Sequence, residues 1–389
     1  MSDIVTFAEL GAQLRRFMRC ASPLAPAGEQ LPPGEPETEF SRLALALFAL
    51  QFEHVLPYRR LCLARGAAPG SVAGWAQIPV VPAAAFKEWE FTSLAEGERT
   101  TVFHSSGTTE RQPSRHWHNA ESLALYEAAL WPWFQAHCLA DLPGDLNDRL
   151  GLVFLTPPPE LAPHSSLVHM FETIRRNAGA RLAAFTGLLG SDGGWGVDLD
   201  RTLALARRAE AAARPVFLLG TAFSFVHLFD ILAASGLRCQ LPPGSRVLET
   251  GGYKSRSRAL PKAELHARIA RQLGVAPSHV VSEYGMCELS SQAYDGVAGH
   301  CAEDCRARVF RFPPWARALV ISPETGREVS EGETGLLRVY DLANVRSVLG
   351  IQTDDLAIRR ADGFELVGRA AGAEPRGCSR QCDGDEAVF

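Results

Sequence analysis

The feature that most constrains the fold of this chain is an alternation of two hydrophobic patterns between about residues 150 and 285. The short apolar runs GLVFLT, RPVFLLG and SRVLET are each followed by a stretch with the apolar spacing of a helix. Strands that alternate with helices form parallel sheets with crossover connections. This region is therefore predicted to be an α/β layer built around a parallel sheet.

The pattern changes after residue 300, where the sequence predicts hairpins. RALVISPETGREV reverses at residues 324 to 326 and DLAIRRADGFELVG at residues 361 to 363, each with a Gly between two apolar runs. We therefore predict an N-terminal segment with a Pro- and Glu-rich linker (1–39), an α/β body (40–300), a β-rich subdomain (301–375) and a tail (376–389).

Helices are also expected before the α/β alternation. Apolar spacing predicts helical structure from Phe40 to about Arg65 and from residue 120 to 137, with Asn119 as N-cap and a bend at Pro132. The long apolar stretch from 216 to 236 contains a His and an Asp, so a buried strand that leads into a helix explains it better than a membrane span.

Composition excludes several classes of function. The net charge of -5 at pH 7 and the absence of a long basic run give no indication of a nucleic-acid partner. The N-terminus lacks the pattern of a secretory signal. Nine scattered Cys residues fit free thiols in a reducing compartment. We expect a cytoplasmic protein without a membrane span.

Four segments follow probable strands and carry residues that suit a phosphate-containing ligand. In the first, RTTVFH leads into SSGTT, whose hydroxyl and backbone N–H groups can hold phosphate oxygens, although such residues are also typical of a polar turn. The chain has no Walker A pattern. The candidate phosphate-binding residues are Ser105, Ser106, Gly107, Thr108 and Thr109.

The second segment offers glycines, whose backbone is not covered by a side chain, and the fourth segment offers carboxylates. Gly251 and Gly252 end the run SRVLET, at the strand ends where open α/β sheets bind ligands, and Lys254 follows with positive charge. Asp355 precedes a hairpin that ends at Arg369, and one aspartate can accept both hydroxyls of a ribose. Tight turns with solvated charges are the alternative interpretation of both segments.

The third segment, VVSEYGMCELSSQ, is the least ordinary. It places two carboxylates, Glu283 and Glu288, around Tyr284 and Gly285. A carboxylate beside phosphate oxygens is a favourable ligand for Mg²⁺. An aromatic ring at this place can stack on a purine.

In this order the four segments resemble the adenylate-forming superfamily, which includes acyl-CoA synthetases, luciferases and the adenylation domains of peptide synthetases. That superfamily has a Ser/Thr/Gly phosphate loop, glycines at the adenine, a Tyr-Gly-(Met)-Thr-Glu segment, and Thr-Gly-Asp ahead of Gly-Arg. The positions that differ here are Glu110, Cys287 and Asp354, and the resemblance leaves Arg111 or Arg115 as substitutes for the usual loop lysine.

The N-terminal third resembles the LuxE-type acyl-protein synthetases of bacterial luminescence operons. In that family a Gln-containing helix, a Tyr and an Ile-Pro-x-x-Pro…Phe-Lys stretch precede the phosphate loop, as in FALQFEHVLPY and IPVVPAAAFK here. HSSLVHM and GAEPRGCS also fit. The resemblance implies ATP-dependent activation of a fatty acid to acyl-AMP, capture of the acyl group by a cysteine of the enzyme, and transfer to a partner such as a fatty-acid reductase.

The resemblance also implies a role for each candidate residue. The phosphate loop holds the β- and γ-phosphates, Glu288 binds Mg²⁺, and Lys254 is a stand-in for the catalytic lysine. Tyr284 with Gly251, Gly252 and Gly285 frames the adenine, while Asp355 and Arg369 position the ribose. Cys378 is the proposed acyl acceptor because arginines stand two residues away on both sides, and Cys382 is the second choice.

The chain ends shortly after Arg369, which leaves no room for the mobile C-terminal domain of the superfamily. The predicted fold is therefore the large N-terminal domain of an adenylate-forming enzyme, with the small C-terminal domain missing or vestigial. LuxE-type proteins are short in this region as well.

Three alternatives stay open at this stage. A zinc site could use Cys301, Cys305, Cys378 and Cys382, although the spacing is looser than that of paired CxxC motifs. The enzyme could instead be an acyl- or aryl-CoA ligase of the phenylacetate type. A non-catalytic nucleotide-binding partner of a reductase is the third alternative.

Overall fold

The computed structural model describes residues 6–105, 112–142, 144, 146–191, 193–251, 260–300 and 308–370. The helices in these ranges are α1 (Phe7–Ala21), α2 (Glu35–His54), α3 (Leu56–Ala64), α4 (Ala120–Cys138), α5 (Ser166–Ala178), α6 (Leu199–Ala211), α7 (Ala222–Ala234) and α8 (Lys262–Leu273). None of the helices described is both long and apolar enough to cross a membrane.

The strands fall into two groups along the chain. Those up to residue 221 are β1 (Val81–Pro82), β2 (Thr101–His104), β3 (Arg115–His118), β4 (Gly151–Phe154), β5 (Ala183–Phe185), β6 (Gly187–Leu189), β7 (Trp195–Val197) and β8 (Val216–Thr221). The later ones are β9 (Arg246–Thr250), β10 (Val280–Tyr284), β11 (Ala293–Tyr294), β12 (Ala316–Ile321), β13 (Thr334–Asp341), β14 (Gly350–Arg360) and β15 (Gly363–Arg369).

The predicted parallel sheet is present. Six strands lie in the order β11-β10-β9-β8-β4-β5, and every neighbouring pair is parallel except β10 and β11. Helices α4 and α5 pack on one face and α6, α7 and α8 on the other. The carboxyl ends of the parallel strands therefore share one edge, which is where this class of sheet binds ligands.

The predicted β-rich region is a second sheet of five strands. Strands β12, β13 and β14 are antiparallel neighbours, β15 pairs with β14, and β1 adds to β14 from the N-terminal part of the chain. Helices α1, α2 and α3 share a hydrophobic core with this sheet. The domain boundaries predicted at residues 39, 300 and 375 stay a prediction.

Local signals placed most elements correctly. The apolar stretch from residue 216 to 236 is strand β8 followed by helix α7, and Asn119 caps α4 by accepting from Ser122 N at 2.9 Å. Helix α2 begins earlier than predicted, at Glu35. Gly34 supplies the positive φ of 86° that precedes it, and Pro36 is tolerated in the first turn of a helix.

Candidate functional site

The predicted phosphate loop is the connection of a two-stranded hairpin. Strands β2 and β3 pair from Thr101 opposite His118 to His104 opposite Arg115. Ser105 N then donates to Ser114 O at 3.1 Å, and Ser114 N donates to Ser105 Oγ at 2.9 Å. The base of the loop is thus closed by hydrogen bonds. Of the predicted loop residues only Ser105 is described, and positions 106 to 109 lie outside the described residues.

The base of this loop contacts the third candidate segment. Ser114 Oγ donates to Glu288 Oε1 at 2.7 Å, and both side chains are buried. His116 Nδ1 lies 2.8 Å from Cys287 O. Burial lowers the pKa of His116 to about 4, and because a carbonyl oxygen can only accept, the neutral ring carries its proton on Nδ1. The loop and Glu288 are therefore held together.

A buried network fixes the backbone on the other side of Glu288. Asn344 Nδ2 donates to Glu288 O at 3.0 Å, and Asn344 Oδ1 accepts from Ser290 Oγ at 2.8 Å. Asp341 accepts from the backbone N–H groups of Ser290 and Ser291, each at 2.8 Å. These contacts attach the segment that carries Glu288 to the end of β13 in the second sheet.

Helix α2 supports this network. Gln51 Nε2 donates to Asn344 O at 2.8 Å, and Gln51 Oε1 accepts from Leu349 N at 2.8 Å. Gln51 is fully buried. The Gln-containing helix seen in the sequence thus holds the loop that in turn holds the backbone of Glu288.

The third and fourth segments meet between the two sheets. Tyr284 Oη donates to Asp355 Oδ2 at 2.7 Å, and its ring packs edge-on against Phe310 and Phe364. Arg369 lies opposite Asp355 in the β14–β15 ladder, with Nε 3.5 Å from Asp355 Oδ1. The predicted adenine-binding and ribose-binding residues are therefore adjacent.

Arg369 also has unused hydrogen-bonding capacity. Its Nη2 donates to Asp354 Oδ2 at 3.0 Å, while Nη1 is buried and has no hydrogen-bond partner within the described part of the chain. A buried guanidinium donor without a partner is costly, so an oxygen-bearing ligand would stabilise it.

The strand ends beside these residues carry a buried carboxyl group. Thr250 Oγ1, at the end of β9, donates to Glu283 Oε2 on the neighbouring β10. Burial raises the pKa of Glu283 to about 7, and Glu249 raises it further while the Thr250 hydrogen bond opposes the shift. A Cβ at Gly285 would overlap the Glu283 carboxyl group, so a larger residue there would require that carboxyl group to shift.

Gly251, directly after β9, has φ of 73° and takes the left-handed conformation that glycine favours.

Several predicted residues cannot be placed. Gly252, Lys254, Arg111, Cys378 and Cys382 lie outside the described residues, as do Cys301 and Cys305 of the zinc alternative. Arg115 is described and its Nη1 lies 3.0 Å from Glu90 Oε1. Among the described residues no group of three or more His, Cys, Asp or Glu side chains could hold a metal ion.

Sequence reasoning missed the residues that support Glu288. Ser114, Asp341 and Asn344 were not singled out because single Ser, Asp and Asn residues between strands are typical of turns. Only Gln51 had a signal, since it belongs to the N-terminal pattern that resembles LuxE-type proteins. The role that these four residues share, the support of Glu288, becomes apparent only when segments distant in sequence are in contact.

We predict that Asn344→Asp destabilises the fold by about 3 kcal/mol or more, since it places a buried carboxylate against the carbonyl oxygens of Glu288 and Val348. Chemical denaturation at pH 7 measures the change. The matched control is Asn119→Asp, where the N-cap oxygen is kept and stability changes little. Equal stability of the two variants would contradict the network.

We also predict a pH-dependent effect of Glu283→Gln. The pKa of Glu283 is raised from 4.5 to about 7 in the fold, so the native state binds the extra proton and loses stability as pH rises from about 4.5 through 7. The variant should match the parent near pH 5 and be more stable by about 3 kcal/mol near pH 8. Denaturation curves at both pH values test this, and a constant difference would contradict it.

Comparison with known proteins identifies the relatives of this chain. The model of the family "Acyl-protein synthetase, LuxE" matches residues 192–384. The long-chain-fatty-acid–luciferin-component ligase of Aliivibrio fischeri is 23% identical over 194 residues, which cover 47% of this chain and 49% of that protein. The chain thus matches about half the length of this curated relative.

Two solved structures share the fold. An open conformation of 2-hydroxyisobutyryl-CoA ligase, in complex with 2-HIB-AMP and CoA, superposes with a TM-score of 0.58 and 15% identity over 87% of this chain and 79% of that one. The thioesterification state of that ligase gives a TM-score of 0.60 and 15% identity over 87% of this chain and 72% of that one. At this identity the match establishes the fold alone. Residues 192–384 of this chain are therefore similar to the LuxE-type acyl-protein synthetases, and its fold is that of 2-hydroxyisobutyryl-CoA ligase.

Proposed function

We propose that this protein is an ATP-dependent ligase that converts a carboxylic acid, in the LuxE-type case a fatty acid, to an acyl-adenylate. The observation that carries the proposal is the hydrogen bond from Ser114 to Glu288, which attaches the base of the predicted phosphate loop to the predicted metal-binding carboxylate. An interaction across 174 positions of sequence brings together two groups that adenylation needs at one place.

The nucleotide fits the groups between the two sheets. The unpaired Nη1 of Arg369 suits a ribose or phosphate oxygen, and Asp355 suits the ribose hydroxyls. Tyr284 and the backbone at Gly251 and Gly285 would flank the adenine. Because Tyr284 already donates to Asp355, the carboxylate and the ring are oriented before the nucleotide arrives.

Glu288 is the proposed ligand of a Mg²⁺ ion that accompanies ATP. Mg²⁺ is commonly held by one or two carboxylates together with substrate phosphates, so a single buried carboxylate is an adequate protein contribution. When bound, the ion would offset the negative charge of the phosphates. Ser114 and the backbone contact from Asn344 keep the Glu288 side chain and its carbonyl group in position.

The chemistry proceeds in two steps. An oxygen of the acid's carboxylate attacks the α-phosphorus, the bond to the bridging oxygen breaks, and pyrophosphate leaves. The thiolate of a cysteine then attacks the acyl carbonyl carbon, and AMP leaves as the thioester forms. The chain's described residues serve to position and to stabilise charge in the first step.

Cys378 is the proposed thiol of the second step. Its support comes from the sequence alone: arginines stand two residues before and after it, and positive charge lowers the pKa of a thiol. A fatty-acid reductase or another acyl-acceptor protein is the proposed recipient of the acyl group. Lys254 is proposed as the lysine that assists adenylation.

We predict carboxylate-dependent exchange of labelled pyrophosphate into ATP, and a loss of about a hundredfold or more in Glu288→Gln. Glu172→Gln on α5, where the carboxylate pairs with Arg175, is the matched control and should exchange at the parental rate. A panel of straight-chain, hydroxylated and aromatic acids makes the test general. Absence of exchange with every acid would overturn the ligase and favour a non-catalytic nucleotide-binding partner.

We further predict that labelled acid stays on the denatured protein as a thioester and that Cys378→Ala abolishes this label. Cys20→Ala, at a partly exposed free cysteine, is the control and should retain it. Label that persists in Cys378→Ala would assign the acyl group to another residue. Label that appears only on added CoA would identify a CoA ligase instead.

A further inference from the structure

The face of the parallel sheet that α6, α7 and α8 cover changes from apolar to polar toward the carboxyl ends of its strands. Val247 on β9 and Val280 on β10 lie opposite each other and belong to the hydrophobic core of this face. Two residues further along, Glu249 lies opposite Ser282. Since side chains alternate along a strand, this pair takes the same face. Both residues are buried, at 6% and 2% exposed.

The groups proposed to flank the adenine come next along the same two strands. Gly251 follows Glu249 after one residue, and Tyr284, two residues beyond Ser282, ends β10. By the same alternation the Tyr284 side chain takes the face of Ser282, where it reaches Asp355 in the second sheet. The buried polar pair therefore lies between the apolar core of this face and the proposed nucleotide site.

Helix α8 contacts the polar pair through His266. His266 Nε2 lies 3.2 Å from Glu249 Oε1 and 3.2 Å from Ser282 Oγ. Ser282 Oγ donates to the same carboxylate oxygen at 2.5 Å. With its proton on Nε2, the imidazole ring donates to both oxygens, because each of them has a lone pair that can accept. The three side chains form a closed triangle of hydrogen bonds.

A second contact from α8 ends on the same residue of β10. Lys262 precedes His266 by four positions, so the two side chains share one face of the helix. Lys262 Nζ lies 2.7 Å from Asp295 Oδ2, and the Asp295 side chain is fully buried. Asp295 Oδ1 accepts from Ser282 N at 2.7 Å. Helix α8 therefore holds Ser282 twice, at its hydroxyl group and, through Asp295, at its backbone N–H group.

These polar contacts are not needed simply to attach the helix. The apolar residues on the inner side of α8 are Leu265, Ile269 and Leu273, all buried. Such contacts tolerate small displacements, whereas hydrogen bonds depend steeply on distance and angle. Buried polar networks also cost free energy of desolvation, so a well-packed apolar replacement is often no less stable. What the network adds is a single geometry, close to the strand ends that lead to the nucleotide site.

We propose that His266 is a positioning residue for the nucleotide, which acts through Glu249 and Ser282. By fixing β9 and β10 near their carboxyl ends, it sets the positions of the Gly251 backbone and the Tyr284 ring on either side of the adenine. This inference rests on the proposed function and extends it to a helix to which no role was assigned. Loss of the His266 contact weakens the binding of ATP and leaves the binding of the acid unchanged.

The test measures the dissociation constant of labelled ATP by equilibrium dialysis against the full chain, without any acid. We expect His266→Leu, which removes the donor, to raise this constant about fivefold or more. His266→Gln keeps an N–H donor near the position of Nε2 and should restore most of the affinity. In pyrophosphate exchange, His266→Leu should raise the KM for ATP by the same factor and change the KM for the acid less than about twofold.

His279→Leu is the matched control. His279 Nε2 lies 3.3 Å from Asp141 Oδ2, a similar contact between a histidine and a carboxylate, but His279 directly precedes β10 at its amino end. This variant should bind ATP like the parent, and urea denaturation compares the stability of both variants. An unchanged ATP affinity in His266→Leu overturns the inference. An equal loss of affinity in His279→Leu overturns it as well, because the effect would then follow general destabilisation.

A double-mutant cycle tests the path through Glu249. Ser282→Ala alone should also weaken ATP binding, and its effect should shrink when His266 is already Leu, because both side chains hold the same carboxylate oxygen. Fully additive effects would overturn this path. ATP binding that follows the expected pattern, together with no pyrophosphate exchange for any acid, would overturn the ligase function and leave the positioning role of His266 intact. Failure of the parent to bind ATP would overturn both.

Discussion

The arrangement of this site depends on the buried hydrogen bonds of Asp341 and Asn344. The two side chains accept hydrogen bonds from backbone N–H and hydroxyl groups of Ser290 and Ser291. Asn344 also donates a hydrogen bond to the carbonyl oxygen of Glu288. Buried polar groups are costly when unpaired, so the segment after Glu288 has one favourable position relative to the second sheet. That position brings the Glu288 side chain to Ser114 at the base of the predicted phosphate loop.

A second consequence of burial is that ionisation states differ from those expected of exposed side chains. Desolvation lowers the pKa of His116 and raises that of Glu283, so a histidine and a carboxyl group beside the site are both biased toward their neutral forms. Around them the charged groups are paired, as Arg369 is with Asp354 and Asp355.

Elements with strong local signals could be predicted from the sequence. The β8–α7 pair follows from a long apolar stretch with a Gly-Thr break, and the β14–β15 hairpin from a Gly between two apolar runs. The candidate residues could be found because each follows a probable strand in a recognisable order. Ser114 and Asn344 could not be assigned a role in this way, because their partners Glu288 and Ser290 are 54 to 174 residues away and no local pattern marks them.

The amino-acid sequence by itself determined the α/β body, the β-rich region and the order of the four candidate segments, since these depend on periodicity and turn residues that act over a few positions. Only the tertiary structure decided that Tyr284 orients Asp355, that Ser114 holds Glu288, and that Thr250 donates to Glu283 on the neighbouring strand. The physical reason is that hydrogen bonds and desolvation depend on which groups are brought within about 3 Å of one another, and sequence spacing does not contain that distance.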